Sequence, residues 1–210
     1  ETIRLQLNNV LKGLRITEIE VLTEKSFQGE IREIRERRVR GVRRRGKITI
    51  IELEGGVCLA IHLKLTGQLI YRGKEGEEGR EGKDGEKYCE QKDGPFAVCE
   101  LPNKFTRVII NFDNGSKLFF NDLRIFGWIR VVRDIREIGE EKLGPEANDE
   151  KSFTLDYFRT ILAKTKKPIK IVIMDQEKLA GVGNIYANEA LFDSGILPTR
   201  KSDTLSDGEI

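Results

Sequence analysis

Met174-Asp175-Gln176-Glu177-Lys178-Leu179-Ala180-Gly181-Val182-Gly183-Asn184-Ile185-Tyr186-Ala187 is the stretch from which the second half of the fold can be read. Before it lies an apolar run that reads as a helix through Met174, with Pro168 suited to its first turn. After it, residues 185–194 read as another helix, stopped by Gly195. Between the two, residues 179–184 carry two glycines, which let a backbone turn sharply and approach a ligand closely. A helix N-terminus favours an anion, and Lys164, Lys166, Lys167 and Lys170 stand near in sequence. The stretch therefore reads as two helices joined by a turn suited to phosphate. A glycine turn by itself more often only connects helices.

Working outward, Ser152 reads as the cap of a helix through about Thr165, with Phe153, Tyr157, Phe158, Ile161 and Leu162 on its apolar side. Residues 204–210 read as the start of a further helix. Upstream of residue 134 the period changes. Ile3, Leu5, Leu7, Val10 and Leu11 suggest a leading helix ended near Gly13. Residues 15–21 and 128–132 read as strands. Residues 47–53 and 57–63 flank the turn Glu54-Gly55-Gly56, and residues 107–112 and 117–121 flank Asp113-Asn114-Gly115, so each pair reads as a hairpin. The expected fold class is α+β: an N-terminal β-sandwich domain with a leading helix over 1–133, a linker over 134–150, and an incomplete helical domain over 151–210. Residues 72–94 hold six Gly and 14 charged residues among 23, too little apolar surface to offset chain entropy, and read as a disordered insertion.

Hydrophobic residues make up 38% of the 210 and charged residues 34%, which suits a globular chain and excludes fibrous and membrane classes. No apolar run approaches the length of a membrane span, so the expected location is the cytosol, without a membrane partner. The net charge of +2 does not itself point to nucleic acid, but nine basic and two acidic residues fall within 32–47. Such a run is as often a solvated face. Cys58, Cys89 and Cys99 are an odd set, which fits a reducing compartment, and a single His leaves little with which to build a metal site.

Five ordered motifs give the chain a resemblance. The quoted stretch, continuing through Glu189 and Leu191-Phe192, is similar to the helix–two-turn–helix motif of formamidopyrimidine-DNA glycosylases. Leu143-Gly144-Pro145-Glu146 is similar to the family's linker, and Asp122-Leu123-Arg124-Ile125-Phe126-Gly127 and His62-Leu63-Lys64-Leu65-Thr66-Gly67 are similar to two of its loops. Arg44-Arg45-Gly46-Lys47 is similar to its basic turn. Glu1-Thr2 resembles the end of its opening segment. The match spans nearly everything except residues 72–94.

The resemblance implies base-excision repair: removal of oxidised purines, 8-oxoguanine and formamidopyrimidines, from double-stranded DNA, followed by strand nicking at the abasic site. A base inside the stack must be flipped out and the hole filled. Leu65, Arg124 and Phe126 match the family's intercalating residues; an apolar side chain and an aromatic ring can wedge between bases, and Arg can donate to the orphaned partner base. Leu65 stands where Met is usual. Lys47 matches the catalytic-domain lysine at the lesion phosphate, and Lys170 and Asn184 match phosphate contacts. The bland readings are a surface hairpin lysine for Lys47, an N-cap for Asn184, and core residues for Leu65 and Phe126. Phe105 stands where the family carries a phosphate-contacting His, with Lys104 or Arg107 as substitutes; His62 and Trp128 read as structural. The nucleophile implied is the amine of an N-terminal Pro followed by Glu, and the zinc implied belongs to a C-terminal finger. Neither part is among these residues, so residues 1–210 alone are expected to be inactive, monomeric and without a cofactor. Two other readings stand beside this one: an endonuclease VIII-type glycosylase for oxidised pyrimidines, against which Arg124 and Phe126 on one loop argue, and a non-catalytic nucleic-acid-binding module, against which the β-domain motifs argue.

Overall fold

The computed structural model describes residues 1–74, 101–139 and 142–210. Most of the 72–94 insertion, with Cys89 and Cys99, lies outside the described residues. The described residues cluster into two units, Glu1–Arg44 with Ile48–Ile138, and Arg45–Lys47 with Gly139–Ile210.

In the first unit, helix α1 (Thr2–Leu11) is followed by nine strands: β1 (Ile16–Val21), β2 (Phe27–Gln28), β3 (Val39–Arg45), β4 (Ile48–Leu53), β5 (Cys58–His62), β6 (Gly67–Arg72), β7 (Thr106–Phe112), β8 (Lys117–Asp122) and β9 (Trp128–Val132). They form a four-stranded sheet in the order β1-β7-β8-β6 and a five-stranded sheet in the order β2-β9-β5-β4-β3. The two expected hairpins are present: β4 pairs antiparallel with β5, and β7 with β8.

Strand alternation decides which side chains enter the core. On β5, Leu59 and Ile61 join the main core, while Cys58 and Ala60 face a smaller cluster with Ile48, Ile50 and Val132. Val108, Ile110 and Phe120 from the four-stranded sheet meet Ile51, Leu59 and Ile129 from the five-stranded one, and Leu7 and Leu11 seat α1 in the same cluster. Phe120 is almost wholly buried. Truncating such a ring costs about 3–5 kcal/mol.

The second unit holds α2 (Leu155–Ala163), α3 (Ile169–Met174) and α4 (Asn184–Asp193). Leu162, Ile169, Val172, Ile173, Ala187, Leu191 and Ile196 form its core. Two sequence expectations change here. The cap of α2 is Thr154, whose hydroxyl accepts from Tyr157 N, whereas Ser152 donates to Asp149. Residues 204–210 do not form a helix. A short 3-10 turn, Ser202–Thr204, precedes a single turn in which Glu209 accepts from both the N–H and the hydroxyl of Ser206. That is one half of a capping box, the Glu side chain reaching back to the Ser N–H, while Glu209 N donates to the backbone carbonyl of Ser206. With the Arg200 guanidinium also on Glu209, its carboxyl falls to a pKa of about 2, the Ser206 N–H being the largest cause.

Candidate nucleic-acid interface

In the second unit the turn between α3 and α4 is built around the side chain of Gln176. Its amide donates to Met174 O (2.9 Å) and Val182 O (2.8 Å) and accepts from Gly181 N (3.0 Å), closing the loop on itself. Tyr157 from α2 donates to Lys178 O at 2.7 Å. Burial, aided by the charge of Asp175, pushes the Tyr157 phenol above its ordinary pKa and keeps it a donor. The linker runs alongside: Gly144 N donates to Gln176 O, Ala180 N to Pro145 O, and Ala147 N to Ala180 O.

The turn delivers the chain to α4 through Gly183, which occupies the cap position without a side chain to cap with. Asn184, Ile185 and Tyr186 follow in the first helical turn, all exposed. Their N–H groups have no acceptor within the helix, and the helix dipole adds positive potential there. Asn184 is thus the first helical residue and not the cap. Lys47 stands beside this turn: its Nζ lies 3.3 Å from the point that a Cβ on Gly183 would occupy. Glu146 seats the tip carrying Lys47, accepting from Gly46 N at 2.5 Å and from Arg45 Nη1 at 3.3 Å, while Arg45 Nη2 donates to Leu143 O at 2.8 Å. An ammonium and a run of helix N–H donors at one turn can hold a phosphate. Lys170 lies half-buried on α3, its backbone N–H on Pro198 O.

In the first unit the loop after β5 and the loop after β8 present the other candidates. Leu65 is 75% exposed and Phe126 50%, so neither is a core residue. Arg124 is exposed and its guanidinium lies 5.0 Å from the centroid of the Phe126 ring. Both loops contain a non-glycine residue in the left-handed region, Lys64 at φ 53° and Ile125 at φ 55°. For a β-branched residue such as Ile125 this costs about 1–2 kcal/mol. The compensation comes from Asp122, 1% exposed. Its Oδ2 accepts from Phe126 N at 2.8 Å and Gly127 N at 2.7 Å, and its Oδ1 from Arg124 N at 3.2 Å and from the Thr66 hydroxyl. A Cβ on Gly127 would lie 2.8 Å from the Phe120 ring and 3.0 Å from His62 O, so this position has no room for a side chain.

The basic run over 32–47 is largely spent inside the chain. Arg35 donates to Thr17 O, Arg37 to Glu33 O and Glu54 O, Arg38 to Gly13 O, and Arg43, Arg44 and Arg45 pair with Glu52, Glu1 and Glu146. Val39 and Val42 are buried on β3, which passes through this run. Lys104 packs its ammonium on the Phe105 ring, and Arg107 donates to Asp122 O at 2.8 Å. His62 ends β5 with Nδ1 accepting from Lys64 N, and its ring tilts toward Trp128, itself half-buried under Arg130. An apolar cavity of about 420 Å³ in the second unit is lined by core side chains such as Phe158, Ile173 and Leu205 and does not include Lys47, Gly183 or Asn184. Among the described residues no group of three or more His, Cys, Asp or Glu side chains could hold a metal ion. No helix among them is long and apolar enough to cross a membrane.

The formamidopyrimidine-DNA glycosylase N-terminal domain family matches residues 1–129, and the formamidopyrimidine-DNA glycosylase H2TH domain family matches residues 143–210. The chain belongs to the formamidopyrimidine-DNA glycosylase family. A formamidopyrimidine-DNA glycosylase of Pelotomaculum thermopropionicum is 35% identical over all of this chain and 70% of its own length, and one of Heliobacterium modesticaldum is 34% identical with the same coverage. Among solved structures, the Lactococcus lactis enzyme in complex with FAPY-dG-containing DNA superposes with a TM-score of 0.79 at 25% identity, over 99% of this chain and 71% of that one. MutM (Fpg) of Thermus thermophilus gives a TM-score of 0.77 at 31% identity, over 99% and 67%. The two matched domains contain all of the candidate loops described above.

Proposed function

We propose that this chain works in base-excision repair, in a DNA glycosylase that removes oxidised purines of the 8-oxoguanine and formamidopyrimidine type from double-stranded DNA and then cleaves the strand at the abasic site. The observation that carries the reading is the exposure of Leu65 and Phe126, two large apolar side chains on adjacent loops pinned by one buried carboxylate. Unsupported apolar groups held this rigidly suit insertion into a base stack better than folding. Arg124 beside them supplies donors for the base left without a partner. Lys47, the first turn of α4 at Asn184, and Lys170 hold the backbone phosphates.

The reaction that fits these parts is covalent. A secondary amine bonds to the sugar C1′, the base leaves with the glycosidic electron pair, and the opened sugar becomes an imine. Loss of a C2′ proton then expels the 3′ phosphate, and a second elimination releases the 5′ side. The family resemblance assigns the amine to an N-terminal proline, which is not a residue of this sequence. The named side chains bind, wedge and orient. Its working place is the compartment that holds DNA.

The test is excision of 8-oxoguanine, a formamidopyrimidine and an oxidised pyrimidine from matched duplexes by the protein carrying, besides these residues, the N-terminal proline and the finger that the family resemblance implies. Preference for the two purine lesions is expected. Preference for the pyrimidine would move the chain to the endonuclease VIII type, and specific binding without any excision would make it a binding module.

A further inference from the structure

We infer that Asp122 and Thr66 are positioning residues that couple the two wedge loops, so that Leu65 enters the base stack together with Arg124 and Phe126 and not independently. The inference rests on the wedge reading above and adds how the wedge is held.

Leu65 and Phe126 lie on different loops, 61 positions apart in sequence by their numbers, and neither is buried in a core. Within the second loop, Asp122 Oδ2 takes the N–H groups of Phe126 and Gly127, which sets the direction of the Phe126 Cα–Cβ bond. Its Oδ1 takes the Thr66 hydroxyl, and Thr66 is the residue after Leu65. Arg124 N reaches both Thr66 Oγ1 and Asp122 Oδ1 at 3.2 Å. The three wedge residues are therefore each within one residue of a single buried node. A charge-assisted bond in a desolvated place is among the stronger ones available to a side chain. Without the node, the left-handed turn at Ile125 has no local reason to persist.

The chemistry of the node also says which substitutions it tolerates. In Asp122→Asn the amide oxygen can take the place of Oδ2 and accept from Phe126 and Gly127, while the NH2 donates to Thr66 Oγ1; the bond from Arg124 N to Oδ1 is lost, and Thr66 Oγ1 remains as the acceptor for Arg124 N. Asp122→Ala loses every side-chain contact of the node and keeps the backbone bonds to Arg107 and Phe105. Thr66→Val keeps the shape of the side chain and the bonds inside the second loop, and removes only the hydroxyl link between loops.

The experiment uses the full chain and a duplex with a tetrahydrofuran abasic-site analogue beside 2-aminopurine, whose fluorescence rises when an inserted side chain unstacks it. Binding to undamaged duplex and thermal melting are measured in parallel. Wild type and Asp122→Asn are expected to give the full rise at saturation. Thr66→Val is expected to lose most of the rise and to bind the abasic duplex about tenfold more weakly, the scale of one hydrogen bond to a charged group, with melting and undamaged-DNA binding little changed. Asp122→Ala is expected to lose the rise as well. A wild-type rise that Thr66→Val retains in full overturns the coupling even if Asp122→Ala does not fold. A wild-type protein that gives no rise overturns the wedge reading and this inference together.

Discussion

The end of the Lys47 side chain packs against Gly183: a Cβ there would be 3.3 Å from Nζ and 3.6 Å from Cε, a tight contact. Gly183 has φ −118°, a conformation open to any residue, so glycine is needed here for space and not for backbone freedom. Lys47→Ala should weaken binding to abasic-site DNA and reduce the slope of log K against log salt by about one charge. Gly183→Ala should fold normally, displace the Lys47 ammonium slightly and weaken binding less, and the double variant should add little to Lys47→Ala. Full additivity would separate Lys47 from the turn.

Gln176 closes the turn through three hydrogen bonds. Gln176→Ala leaves Met174 O, Val182 O and Gly181 N without that partner, and is expected to cost about 1–3 kcal/mol. Tyr157→Phe, which strips the donor from Lys178 O, should cost about 1 kcal/mol. Denaturant melts of each variant measure both. A wild-type midpoint for Gln176→Ala would mean that the linker strand alone holds the turn.

Leu65→Ala and Phe126→Ala remove exposed side chains, so stability should stay within about 0.5 kcal/mol of wild type. Affinity for abasic-site duplex should fall in both while that for intact duplex is kept. A marked loss of melting temperature would instead return these residues to a core role.

Arg124→Ala removes the donor proposed for the orphaned base. Discrimination among the four opposing bases should shrink by about 1–3 kcal/mol, read as the spread of excision rates in the protein that also carries the N-terminal proline and the finger. An unchanged order and spread would take Arg124 out of this role.

Glu209 has its carboxyl lowered from 4.5 to about 2. A depressed carboxylate adds stability that is fully present above its unfolded value and is lost as pH falls through the folded one. The turn 206–210 should therefore stay ordered at pH 5 and loosen between pH 4.5 and about 2. The carboxyl carbon shift of Glu209 followed by NMR gives the midpoint, and Glu209→Gln should abolish the transition.

Much of the fold was legible from residue patterns. Hairpins β4–β5 and β7–β8 fell where glycine and Asn-Gly turns separate alternating strands. Strand β3 was hidden because arginines surround its buried Val39 and Val42, so the charge drew attention and the period did not. Strand β6 shows no alternation, its residues being half-buried along nearly all its length. Thr154 and Ser152 are equally good caps by composition, and only the bond to Tyr157 N separates them. The motif residues Leu65, Arg124, Phe126 and Lys47 could be named in advance, but their holders could not. Asp122 meets Thr66 across 56 positions and Glu146 meets Gly46 across 100. Such partners are set by tertiary structure and leave no local signal.

The contact between Arg124 and the Phe126 ring has a consequence for how the protein meets intact DNA. Off DNA the two side chains occupy each other, in an exposed cation–π pair of about 0.5–1 kcal/mol. Insertion has to exchange that contact for a gap between bases, and opening a sound step costs a few kcal/mol more. On the proposed wedge reading the loop would act as a threshold detector, sheathed along ordinary duplex and engaging where the stack has already lost part of its cohesion.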